Sequence, residues 1–331
     1  MKKLTILTRP TNVPPVVKHK YGGHHGVTRS LIEGLEKIGY EDFNYGPADE
    51  EEIAEHVHVL FGVNTLQYAI ELKKRKRIKT LSAGPNIVVF PFEQNALLAD
   101  SNIDKHFVPS EWVKRLYTEM EPALEGKIFS WPSGVDTEYF RPDLNVMRDN
   151  TVIVYHKFES DQFRYRVCCE LRKHGFIPVV FKYGGRPLAF YESNGAKPEA
   201  KRYDFEDYKQ ALKRARFSVI ISDQESQGIA LAEMWSMDVP TICFDPHYYM
   251  WEWEGRLIER DGDVSSCPYL SEKTGMRFAN FEELDNILKL LTGNRADFSP
   301  REWVLKNMSD EICARKFLQL LNIGPGRTER E

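Results

Sequence analysis

The chain has 331 residues, of which 42% are hydrophobic and 28% charged, with a formal net charge of −4 at pH 7. Its length suffices for two domains of ordinary size, each burying a substantial core, and its weak acidity gives no sign of a nucleic-acid partner. The five cysteines include no C-x-x-C pair, which excludes a disulfide framework and reads as core thiols in a reducing compartment.

The opening Met1-Lys-Lys-Leu-Thr-Ile-Leu reads as a first strand over 4–7; its apolar run is too short for a signal peptide. No stretch is long enough to span a membrane, and a cytoplasmic protein is expected. Further strands are predicted at 58–61, 79–81, 87–89, 105–108 and 127–129, with helices over 27–38, 66–76 and 110–118, Ser110 offering an N-cap. Residues 142–150 are polar and read as a linker. A second block opens with a β-branched strand at 151–155, followed by a helix over 161–174, a strand at 177–181 and a turn at Gly184-Gly185. Residues 190–201 read as a polar irregular segment and 205–215 as a helix. Strands at 217–221 and 239–244 flank a helix that starts at Ile229, and helices over 281–291 and 301–321 precede a frayed tail, 324–331. Strands alternating with helices in two blocks predict an α/β protein of two doubly wound Rossmann-like domains facing a cleft. The expected boundaries are 1–145, 151–300 and a carboxy-terminal helical segment, 301–323.

Residues 216–245 concentrate the chemistry. A buried parallel strand breaks at the turn 223–228 and restarts as a helix, so the turn lies at a strand's carboxyl end, where open α/β sheets bind ligands. Gly228, lacking Cβ, lets a ligand approach the backbone. The free N–H groups around Gln227, Gly228, Ile229 and Ala230 carry partial positive charge and favour a phosphate or diphosphate. Glu225 and Glu233 repel such a group and suit hydroxyls on either side of it. A diphosphate flanked by hydroxyls describes a nucleotide sugar. Two glutamates eight apart are common by chance; the strand, glycine and helix around them favour the site over a solvated helix face.

Glu225-Ser-Gln-Gly-Ile-Ala-Leu-Ala-Glu233 resembles the E-x7-E element of the retaining glycosyltransferases of family 4, which have the GT-B fold. Three more segments are similar, in the family's order. Residues 21–39, beginning Tyr21-Gly-Gly-His-His-Gly, resemble its glycine loop and first helix; Val108-Pro-Ser-Glu-Trp-Val-Lys-Arg115 resembles a late strand-to-helix junction; Ser133-Gly-Val-Asp-Thr-Glu-Tyr-Phe-Arg-Pro142 resembles its G-V-D-x-x-x-F-x-P segment. The resemblance implies a hexose-type transfer, with retention, from a UDP- or GDP-type donor to a saccharide, lipid-linked or other hydroxyl acceptor. No cofactor and no obligatory metal are implied. Glu225 would hold the donor sugar as the catalytic group, the Ser226, Gln227, Gly228 and Ile229 backbone the diphosphate, Glu233 the ribose, and Gly22 and Gly23 the donor from the first domain. Part of 301–321 would cross back to that domain.

Two departures stand out. The family's histidine at the end of a first-domain strand is missing from Leu81-Ser-Ala-Gly-Pro-Asn86, leaving Asn86, His24 or His25 as substitutes. Where the family has an arginine and then a lysine for the leaving diphosphate, this chain has Lys157 and Gln162; Arg164 is the candidate for the second cation. The alternatives are a GT-B-like phosphorylase or epimerase, and a non-catalytic nucleotide-sugar-binding protein. Asp261-Gly-Asp263 reads as a turn rather than a metal motif. The run Lys73-Lys-Arg-Lys-Arg77 allows peripheral contact with an anionic membrane but reads first as a solvated helix end. The aromatic stretch Tyr248-Tyr-Met-Trp-Glu-Trp253 reads as packing or a domain contact before base stacking.

Overall fold

A computed structural model describes residues 2–11, 23–87, 89–157, 160–184, 186–191, 201–202, 205–253, 255–262, 264–293 and 297–323. Gly22, Gly185, Asp263, most of the segment 190–201 and the tail 324–331 therefore lie outside the described residues. The chain divides into two compact units, Met1–Gly134 with Met308–Glu331, and Val135–Asn307.

The first unit is built on β1 (Leu4–Leu7), α1 (Gly23–Lys37), β2 (Phe43–Tyr45), β3 (His56–Phe61), α2 (Val63–Lys74), β4 (Thr80–Asn86), β5 (Lys105–Val108), α3 (Glu111–Met120) and β6 (Ile128–Ser130). Its strands form one parallel sheet in the order β2-β1-β3-β4-β5-β6. Leu4, Ile6, Leu7, Val59 and Leu60 are fully buried, as expected of a sheet covered on both faces. Strands expected separately at 79–81 and 87–89 are replaced by one, β4, that runs through Gly84-Pro85 with a register shift opposite Val59 and Phe61. Only glycine fits there: a Cβ on Gly84 would lie 1.9 Å from the Phe107 carbonyl oxygen of β5. Ser110 occupies the N-cap position of α3 as expected, but its side chain makes no capping bond.

The second unit runs β7 (Thr151–Lys157), α4 (Asp161–Lys173), β8 (Ile177–Gly184), β9 (Arg186–Tyr191), β10 (Lys201–Arg202), α5 (Phe205–Arg214), β11 (Phe217–Ile221), α6 (Ile229–Ser236), β12 (Thr241–Phe244), β13 (Tyr248–Trp253), β14 (Arg256–Asp261), β15 (Gly275–Phe278), α7 (Phe281–Thr292) and α8 (Pro300–Asn307). Its sheet has the order β10-β9-β8-β7-β11-β12-β15, with β8, β7, β11, β12 and β15 parallel and β9 and β10 antiparallel at one edge. Strand order reverses at β7, so the switch point where open α/β sheets take ligands lies between β7 and β11. Val152, Val154, Val219, Ile221 and Ile242 form the buried centre of this sheet, with Val167 and Leu171 of α4 and Leu284 and Leu288 of α7 packed on it. Side-chain caps start both helices: Ser160 accepts the Phe163 N–H and Asn280 the Glu283 N–H.

Several expectations change here. Residues 135–145, grouped by sequence with the first domain, belong to the second unit. Phe140 is buried, Arg301 donates to the carbonyls of Thr137, Phe140 and Ser236, and Arg148 donates to Met237. Phe190 and Tyr191 lie in β9 rather than in an irregular segment. The aromatic stretch at 248–253 is β13 of a hairpin with β14, in which Tyr249 is buried while Tyr248 and Met250 are exposed. The single helix expected over 301–321 is two: α8, and α9 (Asp310–Leu321), which restarts where Ser309 accepts the Ile312 N–H. The helix α9 belongs to the first unit and packs on α1 there. Among the described residues no helix is long and apolar enough to cross a membrane.

Candidate active site

The β7–β11 register determines what meets at the switch point. His156 pairs with Ile221, so Lys157 ends β7 level with Ser222, the first residue of the loop after β11. Three residues further on, Glu225 turns back, and its Oε2 lies 2.8 Å from the Lys157 ammonium. Both side chains are about four-fifths enclosed, at 19% exposure each, so solvent screens this pair less than a surface pair. The Glu225 backbone is fixed separately, its N–H donating to the Ser265 carbonyl at 2.9 Å.

The loop then passes Ser226 and Gln227 to Gly228, which precedes α6 in the left-handed conformation, φ 69° and ψ 46°. Glycine is needed for that conformation, and a Cβ would also lie 2.7 Å from Leu231 Cδ1. The N-cap of α6, Gly228, makes no side-chain cap bond. The first N–H groups of α6 follow directly on the loop that carries Glu225, so the partial positive charge of the helix start is at the same strand end as Lys157. Gln227 is buried, and neither its Oε1 nor its Nε2 has a hydrogen-bond partner among the described residues. Buried amides are rarely left without partners, so this one is open to water or to a polar ligand.

Glu233 lies inside α6 and is buried, not on a solvated face. Its charge, with burial as the larger cause, pushes the Tyr208 hydroxyl well above the usual tyrosine range, and that hydroxyl donates to the Ala230 carbonyl. Arg164 stands on the first turn of α4, which follows β7, with Asp161 3.6 Å away. Gly23, in the first unit, opens α1 with φ 49°. Also in that unit, His24 and His25 lie in the first turn of α1, and Asn86 ends β4 with its side chain buried and its Nδ2 without a partner among the described residues.

Sequence reasoning missed the residues that brace the Glu225 loop. Asp245, just past β12, is buried and accepts hydrogen bonds from Ser265, Ser266 and Arg277. Its position after a parallel strand was the available signal; nothing in the sequence ties it to residue 265.

Two charge clusters are explained without a ligand. In the basic run, Lys73 pairs with Asp104, Lys74 with Glu71, Arg75 with Glu50, and Arg77 donates to the carbonyls of Glu50, Glu51 and Ile53. It is an ion-paired helix end. Glu170, His174 and Asp285 offer ligand atoms within 4.8 Å of one another, but Lys173 and Lys289 already lie on Asp285, at 3.1 and 2.5 Å, and supply the positive charge.

No family model matches the chain, and no curated protein matches it by sequence. Solved structures do match it. Sucrose-phosphate synthase from Thermosynechococcus elongatus is similar over 97% of this chain and 98% of its own, with 14% identity and a TM-score of 0.56. The Anabaena protein HepE, in complex with UDP, is similar over 97% and 100%, with 9% identity and a TM-score of 0.57. The lipopolysaccharide outer core galactosyltransferase WaaB, in its apo form, is similar over 97% and 99%, with 13% identity and a TM-score of 0.57. The shared architecture is the GT-B fold, two Rossmann-like units.

Proposed function

We propose that the chain is a glycosyltransferase that moves a sugar from a nucleoside-diphosphate donor to a hydroxyl acceptor. The observation that carries this reading is the Lys157–Glu225 pair at the β7–β11 switch point, beside the glycine-capped start of α6 and the buried Gln227 amide. One cation, a row of N–H groups and two carboxylates suit a ligand with a diphosphate at its centre and hydroxyls at each end. The UDP complex of HepE and the galactosyltransferase activity of WaaB agree with a nucleotide-sugar donor.

In this reading the diphosphate takes the Lys157 ammonium and the Ser226–Ile229 backbone, with Arg164 as second cation. These groups stabilise the negative charge that develops on the leaving nucleoside diphosphate, and no metal is required for it. Glu225, released from Lys157, accepts hydrogen bonds from the donor sugar and stabilises positive charge at its anomeric carbon. Glu233 meets the ribose. Transfer proceeds with retention, of a hexose-type sugar, to a saccharide or lipid-linked hydroxyl, in the cytoplasm.

Thermal shift against UDP, GDP and ADP sugars tests the proposal, with Glu233→Ala as control. A selective rise in melting temperature, lost in the variant, is the expected result. No shift with any donor would move the assignment to another ligand. A shift without release of nucleoside diphosphate would favour the non-catalytic binding protein.

A further inference from the structure

Beyond β12, the chain reverses through the β13–β14 hairpin and returns at residues 264–266, where a buried carboxylate clasps it. Asp245 Oδ1 accepts the Ser266 N–H at 2.9 Å, and Oδ2 accepts Ser265 Oγ at 2.7 Å and Arg277 Nε at 3.1 Å. The Ser265 hydroxyl in turn accepts the Cys267 N–H at 2.9 Å, and Ser266 Oγ donates to the Phe244 carbonyl. His247 Nδ1 lies 2.8 Å from the Val264 carbonyl; a carbonyl only accepts, so that nitrogen carries the proton. The side chain of Asp245 is 0% exposed.

This clasp reaches the candidate catalytic residue in two hydrogen bonds. Asp245 holds the Ser265 hydroxyl, and the Ser265 carbonyl holds the Glu225 N–H. Glu225 is thereby gripped twice, through its backbone by Ser265 and through its carboxylate by Lys157. A neutral turn could close a hairpin. Burying a full charge is costly unless several donors meet it, and here three donors converge on a carboxylate that holds Ser265, the anchor of Glu225. We infer that Asp245 is a positioning residue, which acts through Ser265 to set the backbone of Glu225 for sugar transfer. Its effect on turnover rests on the transferase reading; its effect on the Glu225 backbone does not.

The test uses the full chain with Asp245→Asn and with Ser265→Ala, and two readouts: hydrogen exchange at the Glu225 amide, and kinetics with the donor selected by thermal shift. Ser265→Ala removes the hydroxyl link and leaves the carboxylate its Arg277 and Ser266 partners, so it carries the test if Asp245→Asn does not fold. Exchange at Glu225 is expected to accelerate in both variants. The kcat is expected to fall on the order of 100-fold while the donor KM stays within about threefold, the mark of lost positioning rather than lost binding. In a Glu225→Gln background, Asp245→Asn should cost nothing further. Unchanged exchange in both variants overturns the inference whether or not a donor is turned over, as does an equal loss of kcat in the Glu225→Gln background. Accelerated exchange in a protein whose wild type turns over no donor sinks the transferase reading instead and upholds the clasp on Glu225.

Discussion

Lys157 and Glu225 stand 68 residues apart in sequence and 2.8 Å apart in space, one at the end of β7 and the other in the loop after β11. Parallel pairing of those strands brings them together, and the reversal of strand order at β7 puts them at the switch point, where open α/β sheets take ligands. Their mutual neutralisation has a chemical consequence. In the proposed reading a diphosphate competes with Glu225 for the Lys157 ammonium, and taking it frees the carboxylate for the donor sugar, so that binding of the leaving group and readiness of Glu225 become one event.

The return helix α9 is anchored by a buried charge. Asp310 accepts from Arg29 at 2.9 Å and lies 3.3 Å from Lys37, all within the first unit. Burial opposes the Arg29 charge, but Asp310 and Glu33 reverse that effect and hold its pKa above the ordinary value. Gly34 and Gly134 stand against the Asp310 backbone, where a Cβ would come within 2.4 and 2.6 Å of it. Asp310→Ala leaves Arg29 buried without its main partner and should destabilise the protein by about 3–5 kcal/mol. Urea unfolding measures this; a loss below about 1 kcal/mol would mean that water replaces the carboxylate.

Gly228→Ala forces a side chain into the left-handed region, at a cost of about 1–2 kcal/mol. The 2.7 Å contact is with the end of the flexible Leu231 side chain, which can move, so the backbone conformation dominates. Gly228→Asn should be milder, since asparagine tolerates that region. Equal midpoints of denaturation for the two variants would contradict this ranking.

Two buried histidines make the first unit sensitive to acid. Desolvation pushes His58 down to about 3 and His106 down to about 4, although backbone contacts oppose it in both. The unfolded chain takes up protons near pH 6.5 and the folded one does not. Stability is therefore full above about 6.5 and falls as the pH drops towards these values, by about 1.4 kcal/mol per pH unit for each histidine. Unfolding free energies between about pH 7 and pH 5 should show this slope, and His58→Leu should reduce it by one proton. A flat profile would mean that both rings charge in the folded state.

Much of this fold was legible because the parallel strands are apolar runs. Leu4–Leu7, Lys105–Val108 and Phe217–Ile221 begin and end as their residues predict. Edge elements were not: β2 is three half-buried residues, β9 carries a proline at its second position, and β10 has only two residues. The break between α8 and α9 was written in Met308-Ser-Asp-Glu, a capping sequence masked by continuous helical periodicity. In the candidate site, Glu225 and Gly228 were picked out by local pattern, and Lys157 by the family resemblance. Asp245 and Ser265 were not, because their link to Glu225 depends on how a hairpin folds back, which no spacing records.

The most direct test of the central claim measures nucleoside diphosphate binding by calorimetry and donor turnover in the wild type, Lys157→Ala and Glu225→Gln. Lys157→Ala should weaken diphosphate binding by about tenfold or more. Glu225→Gln removes the competitor for Lys157, so it should bind the diphosphate at least as tightly as the wild type and lose turnover by about 10²- to 10³-fold. Wild-type turnover in Glu225→Gln, or undiminished diphosphate binding in Lys157→Ala, would contradict the central claim.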